Sequence, residues 1–233
     1  MTARVALLFA GLLDFAANGA DAQDILPPPV DGEMATFGTT VVASSGLKGR
    51  IYFLKPGAIA LPKFEKLEPV GTIYTNGLNI PPRDFEDGFP GVTNRFEWFA
   101  IDYRGRFYID QPGKYRFILA SDDGSKLYID DKVLINNDGI HSVLAVEKSI
   151  TLAGGIHRIR ISYFQGPRYS VALMLGVWGP GDSRWRAFNT NEFKPPANPA
   201  DWKYGSPDDL KDEPDPDAGR KKLKDVLKQD APK

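Results

Sequence analysis

The chain has 233 residues, 42% of them hydrophobic and 12% aromatic, enough for one packed domain with appendages and unlike a disordered chain. A formal net charge of -1 gives no sign of nucleic acid or an anionic membrane as partner. The absence of cysteine removes disulfides, thiolate metal sites, a cysteine nucleophile and a lipidated N-terminal cysteine together.

Residues 1–22 read as a secretory signal. Arg4 is the only charge ahead of a short apolar run, and Ala20-Asp21-Ala22 offers a cleavage site before Gln23. The expected destination is therefore outside the cytoplasm, secreted or periplasmic. The apolar run is too short to span a bilayer, and no later stretch is long and apolar enough to do so. Residues 23–45, with Pro27-Pro28-Pro29, read as an extended leader.

Residues 46–193 carry the domain. Ile51 and Phe53 alternate in an opening strand, and residues 81–92 read as a polar loop rich in proline, glycine and aspartate. Residues 95–103 alternate in period two, Arg104-Gly105 is expected to turn the chain, and residues 106–109 to run back. Pro112-Gly113 makes the next turn. A strand follows with Tyr115, Phe117 and Leu119 on one face and Lys114, Arg116 and Ile118 on the other. Residues 126–129 and 133–135 flank a turn at Asp130-Asp131, and residues 144–152, 157–164 and 170–178 complete the set. In 157–164 the alternation is strict, with Ile159, Ile161 and Tyr163 against Arg158, Arg160 and Ser162. Short strands at this spacing predict an all-β, antiparallel sandwich or barrel.

Residues 194–233 change character. Six prolines between Pro195 and Pro216 argue against a regular element, which predicts a disordered, charged tail. Residues 218–229 alone have helical spacing, which suits either a partner contact or a frayed, solvated end.

Residues 115–135 read YRFILASDDGSKLYIDDKVLI. Downstream come Leu152-Ala153-Gly154-Gly155-Ile156-His157 and Ile161-Ser162-Tyr163-Phe164-Gln165-Gly166. Gly113, Tyr115 and Phe117, the Ser-Asp-Asp-Gly-Ser turn, Leu-Tyr-Ile-Asp and the glycine–histidine strand ending in Tyr-Phe occur here in a fixed order. In that order they resemble the PA-fourteen domain family, named for the anthrax protective antigen; Gly46 to Gly49 with Tyr52-Phe53 resembles its first strand. The resemblance spans residues 46 to 177. It implies a β-sandwich domain of a kind found in toxins, glycosidases, adhesins and yeast flocculins, often as a glycan-binding module. In its calcium-dependent lectin members two adjacent aspartates, joined by a cis peptide, hold the ion. A second loop adds oxygens and sugar hydroxyls complete the shell.

On that resemblance Asp122 and Asp123 are the candidate calcium ligands, since calcium takes several hard oxygen donors. The plainer reading makes them an Asx turn before Gly124. Gln165 either completes the metal site or belongs to an ordinary Gly-Pro turn. Asn137, Asp138 and Arg168 are candidate ligand-binding residues, with solvated turn residues as the alternative for Asn136 to Asp138. Asp130-Asp131 stands where the family commonly has Asp-Gly and reads as structural. His157 reads as a packing or hydrogen-bonding residue, and Trp185 as a cap on the sandwich edge. Two histidines cannot make a histidine-rich zinc site, and the G-x-S-x-G nucleophile elbow is absent.

The expected function is a secreted, non-catalytic binding module that recognises carbohydrate through calcium. The rival is a structural or protein-interaction module in which Asp122 and Asp123 are only a turn. With no internal repeat, avidity would have to come from oligomerisation.

Overall fold

The computed structural model describes residues 46–211, apart from 93–94 and 168–169. The signal and leader expectations therefore lie outside the described residues, as does the helix expected at 218–229.

Among the described residues, eleven strands carry the fold. They are β1 (Leu47–Phe53), β2 (Gly71–Thr75), β3 (Asn79–Asp84), β4 (Phe99–Ile109), β5 (Gly113–Asp122) and β6 (Ser125–Ile129), then β7 (Lys132–Asn137), β8 (Leu144–Leu152), β9 (Gly155–Gln165), β10 (Ser170–Trp178) and β11 (Arg186–Ala187). One sheet has the order β2-β1-β4-β9-β6-β7 and the other β11-β10-β5-β8, with β3 also paired to β10, on the side opposite β5. All pairings are antiparallel. Among the described residues the only helical turns are 3-10 segments of three or four residues, and no helix is long and apolar enough to cross a membrane.

The period-two pattern decides which faces meet. Ile101, Tyr103, Ile159, Ile161 and Tyr163 of the larger sheet face Tyr115, Phe117, Leu119, Leu173 and Leu175 of the smaller, forming the main core. Each fully buried side chain of this size stabilises the fold by about 1.5–3 kcal/mol. Ile118, Ala120 and Met174 point the other way, under Trp185 and Val143. Trp185 meets Trp178 edge to face, and Arg116 lies 4.9–5.0 Å from both rings, so Trp185 covers the outer face of the smaller sheet.

Three local expectations are corrected. Arg104-Gly105 is no turn, because β4 runs unbroken from Phe99 to Ile109. Gly105 serves a close approach instead: a Cβ there would sit 2.4 Å from the Gly46 carbonyl oxygen at the start of β1. β4 also begins only at Phe99, since Trp98 has φ of 58° and the Arg95 guanidinium donates to the carbonyls of Leu54, Glu97 and Trp98. The expected loop at 81–92 begins inside β3, which carries Pro81 and Pro82 on an edge strand where their missing N–H groups break few ladder bonds.

The tail expectation is corrected as far as Lys211. The Trp202 ring lies 5.6 Å from that of Tyr108, and its Nε1 donates to Pro196 O at 2.8 Å. The Tyr204 ring covers Gly154, where a Cβ would fall 2.1 Å from it. Arg106 donates to the carbonyls of Leu210 and Lys211, both at 3.1 Å. The prolines exclude a hydrogen-bonded ladder but not the docking of aromatic side chains between them.

Candidate functional site

Five strand ends converge at one end of the sandwich. β5 finishes at Asp122, β6 begins at Ser125, β7 finishes at Asn137, β9 finishes at Gln165 and β10 begins at Ser170. The registers explain the convergence: Asp122 is opposite Ala172, and Ser125 lies between Asn137 and Tyr163. Gly124 makes the crossing between sheets feasible. A Cβ on it would lie 2.4 Å from the Phe164 ring and 2.7 Å from the Gly139 nitrogen.

Asp122 and Asp123 are each only 3% exposed, and the peptide between them is cis. Ser170 Oγ donates to Asp122 Oδ2 at 2.6 Å. Asp123 Oδ2 accepts from the Gly166 N–H at 2.7 Å, and Asp123 Oδ1 accepts from the His141 N–H at 3.2 Å. Burial raises both carboxyl pKa values above the ordinary range, opposed by these donors; the Asp122 charge raises that of Asp123 further. Among the described residues neither carboxylate has an ion-pair partner. Two adjacent buried carboxylates with no paired cation among the described residues form an electrostatically demanding cluster.

A further acceptor belongs to this end of the fold. Asn137 Nδ2 donates to Ser121 Oγ at 3.1 Å and to Leu144 O at 2.9 Å, while its Oδ1 is buried without a hydrogen-bond partner. The amide orientation is fixed by Leu144 O, because the flipped amide would oppose two carbonyl-type oxygens.

A hard cation suits this donor set. Two carboxylates and neutral amide oxygens are the ligands calcium takes, and an added positive charge would relieve the raised pKa values of the pair. Among the described residues no group of three or more histidines, aspartates and glutamates could hold a metal, so a cation here would rest on two carboxylates plus neutral oxygens.

The other sequence-derived candidates divide. Gln165 is brought to the pair, but its Nε2 faces Asp123 Oδ2 at 3.4 Å and Ser170 O at 3.2 Å, while its Oε1 meets the Tyr163 hydroxyl. Beside bare carboxylates the Gln165 amide turns its N–H groups toward them. Asp138 Oδ1 accepts from the Leu61 N–H at 2.8 Å, and its Oδ2 pairs with Lys126 Nζ at 2.6 Å. Arg168 lies outside the described residues. His157 bridges Asp130 Oδ2 at 2.7 Å and Ala153 O at 3.0 Å, in keeping with a hydrogen-bonding role.

Four contributors escaped the sequence reading. The His141 and Gly166 N–H groups act through the backbone, which side-chain identity does not reveal. Ser170 sits 48 residues from its partner Asp122. The buried Tyr163 hydroxyl reaches Asp122 O at 2.7 Å and looked like a core ring with no polar task.

Residues 84–184 match the PA14 domain, the family of the sequence resemblance. The PA14 domain of the MpAFP antifreeze protein superposes with a TM-score of 0.53 at 17% identity, over 69% of this chain and 93% of that one. A PA14 sugar-binding domain from an RTX adhesin gives 0.53 at 17%, over 64% and 97%. An anti-sigma factor domain-containing protein from Clostridium clariflavum gives 0.51 at 18%, over 70% and 52%. At these identities the likeness is one of fold. No curated protein matches the chain.

Proposed function

We propose that this chain, a member of the PA14 domain family over residues 84–184, is an exported, non-catalytic module that binds carbohydrate through a calcium ion held by Asp122 and Asp123. The observation that carries the reading is the pair itself: two adjacent carboxylates, each 3% exposed, without an ionic partner among the described residues. The fold likeness to a sugar-binding domain from an RTX adhesin supports the choice of ligand class, and the cleavage signal at Ala20-Asp21-Ala22 supports export.

The chain's own residues have distinct tasks in this reading. Asp122 and Asp123 supply charge and oxygen. Ser170, Gly166 and His141 hold the carboxylates in place by donating to them. Gln165, rotated by half a turn about its terminal bond, would offer Oε1 where it now offers Nε2, and Asn137 Oδ1 is an acceptor in search of a positive partner. Calcium, when bound, supplies coordination positions that adjacent sugar hydroxyls can fill. A shallow site among loops gives weak single-site affinity, so useful avidity would come from several copies on one surface.

A glycan array read with calcium, with chelator and after calcium is restored tests the reading. Binding that vanishes with chelator and returns with calcium is expected. Glycan binding indifferent to chelator would remove the ion from the account. Absence of both calcium and glycan binding would favour an interaction module in which the hydrogen bonds to Asp122 and Asp123 only close a turn.

A further inference from the structure

The outward face of the larger sheet carries a side-chain cluster that the calcium site does not involve. Arg104 of β4 stands in register with Arg160 of β9, which stands in register with Tyr128 of β6. Tyr103, Leu127, Ile159 and Ile161 fill the inward positions beside them, so alternation turns Arg104, Arg160 and Tyr128 outward. Asp102, 2% exposed, lies beneath the two arginines and holds both. Its Oδ2 accepts from Arg104 Nε at 2.9 Å and its Oδ1 from Arg160 Nε at 2.6 Å. Ser162 Oγ donates to the same Oδ1 at 2.8 Å. The Arg160 guanidinium also stands 4.9 Å from the centre of the Tyr128 ring and 5.6 Å from that of Phe64.

These contacts fix the two guanidiniums and leave their outer edges open. An arginine facing a carboxylate commonly pairs through two parallel N–H groups. Here one carboxylate is divided between two arginines, each held by Nε alone, and among the described residues the four Nη nitrogens donate to no protein acceptor. The side chains of Arg104 and Arg160 stay 51% and 32% exposed, so a ligand can reach them. Like charges directly opposite each other in a sheet repel, and Asp102 offsets only one of the two. An anion bridging the pair from outside would offset the other. Because Asp102 and the aromatic rings already orient the guanidiniums, little side-chain freedom remains to be lost on binding. The planar guanidinium edge matches a carboxylate. The Tyr128 hydroxyl, which also has no protein partner among the described residues, can donate to or accept from a neighbouring hydroxyl.

We propose that Arg104 and Arg160 form a second ligand site, which binds the carboxylate of an acidic saccharide, a uronic acid residue, with the Tyr128 hydroxyl contacting a sugar hydroxyl beside it. The choice of a saccharide rests on the proposed function, whereas the choice of an anion comes from the arginine pair itself. The site shares no residue with Asp122 and Asp123 and needs no metal. An acidic peptide would offer the same carboxylate without a sugar hydroxyl for Tyr128, and is the competing ligand in the test.

The Nε–Hε NMR signals of the two arginines report on the site directly. The full-length protein, at low salt in buffer freed of divalent cations on a chelating resin, is titrated with methyl β-glucuronide, methyl β-glucoside, acetate and a glutamate-rich peptide. The glucuronide should shift the Arg104 and Arg160 signals saturably, and the glucoside should leave them in place. Acetate should bind about tenfold more weakly than the glucuronide, for want of the hydroxyl contact. Tyr128→Phe should remove that preference. Arg104→Lys keeps the charge and loses the planar fork, so it should weaken the glucuronide about tenfold while the backbone amide spectrum away from the site is preserved. Asp123→Asn, which removes a proposed calcium ligand, should leave the glucuronide titration unchanged, so the calcium reading can fail without this one. No shift with the glucuronide, or one that does not saturate, would overturn the proposal. Acetate binding as tightly as the glucuronide would overturn the saccharide, and tighter binding of the peptide would give the site to a protein partner instead.

Discussion

Gly124 and the two aspartates before it set the properties of the candidate site one residue at a time. Gly124→Ala would drive a methyl group into the Phe164 ring and the Gly139 backbone, at 2.4 and 2.7 Å. Overpacking of this kind costs about 1–3 kcal/mol, so thermal melting should show a drop of several degrees with calcium affinity lost alongside. Asp123→Asn keeps the shape and most acceptors while removing one charge, so it should abolish a calcium-induced thermal shift that Arg116→Ala, remote from the site, leaves intact. The raised pKa values give a separate signature in the metal-free protein. A carboxyl whose folded pKa is raised contributes stability that is fully present below its unfolded value of about 3.9 and is lost as pH rises through the folded pKa. Relative to a variant combining Asp122→Asn and Asp123→Asn, the metal-free protein should therefore lose melting temperature as pH rises above the ordinary carboxyl range. Calcium should restore it. Parallel pH profiles without calcium would mean that the pair is already compensated.

At the scale of elements, the hairpin between β6 and β7 and the chain after β11 make opposite lessons of sequence reading. Asp130 and Asp131 have φ of 48° and 65°, the left-handed values that a two-residue hairpin demands. The turn was legible because Asp-Asp stands between two alternating runs. Asp131→Gly should stabilise the fold by about 0.5 kcal/mol, the relief of an αL side chain outweighing an exposed pair with Arg158; a loss measured by urea denaturation would mean that the pair matters more than the backbone. The docked segment beyond Phe193 was not legible, because proline content reports what backbone ladders are impossible and says nothing of where Trp202 and Tyr204 can rest. Trp202→Ala should remove the ring from Tyr108 and lower the melting temperature by about 3–8 °C, the equivalent of about 1–2 kcal/mol for a domain of this size. An unchanged midpoint would detach this segment from the fold.

For the molecule as a whole, the two-sheet architecture was readable from period-two alternation, since Tyr115, Phe117 and Leu119 or Ile159, Ile161 and Tyr163 can share a core only if both faces are sorted by sheet pleating. Strand limits near Gly105 and Pro81 were not, because a close approach and an edge position are properties of partners far along the chain. The site was legible only in part: Asp122 and Asp123 stood out, whereas Ser170 and the amides of Gly166 and His141 join them only through the registers of β5, β9 and β10. The proposed function of the assembled site turns on a cation. Isothermal titration of calcium into the metal-free, full-length chain tests this most directly. The account predicts a saturable heat with one ion per chain, at affinities up to the millimolar range of extracellular calcium modules, and none for Asp123→Asn. No heat from the unaltered chain at millimolar calcium would contradict it and leave Asp122 and Asp123 as a hydrogen-bonded turn.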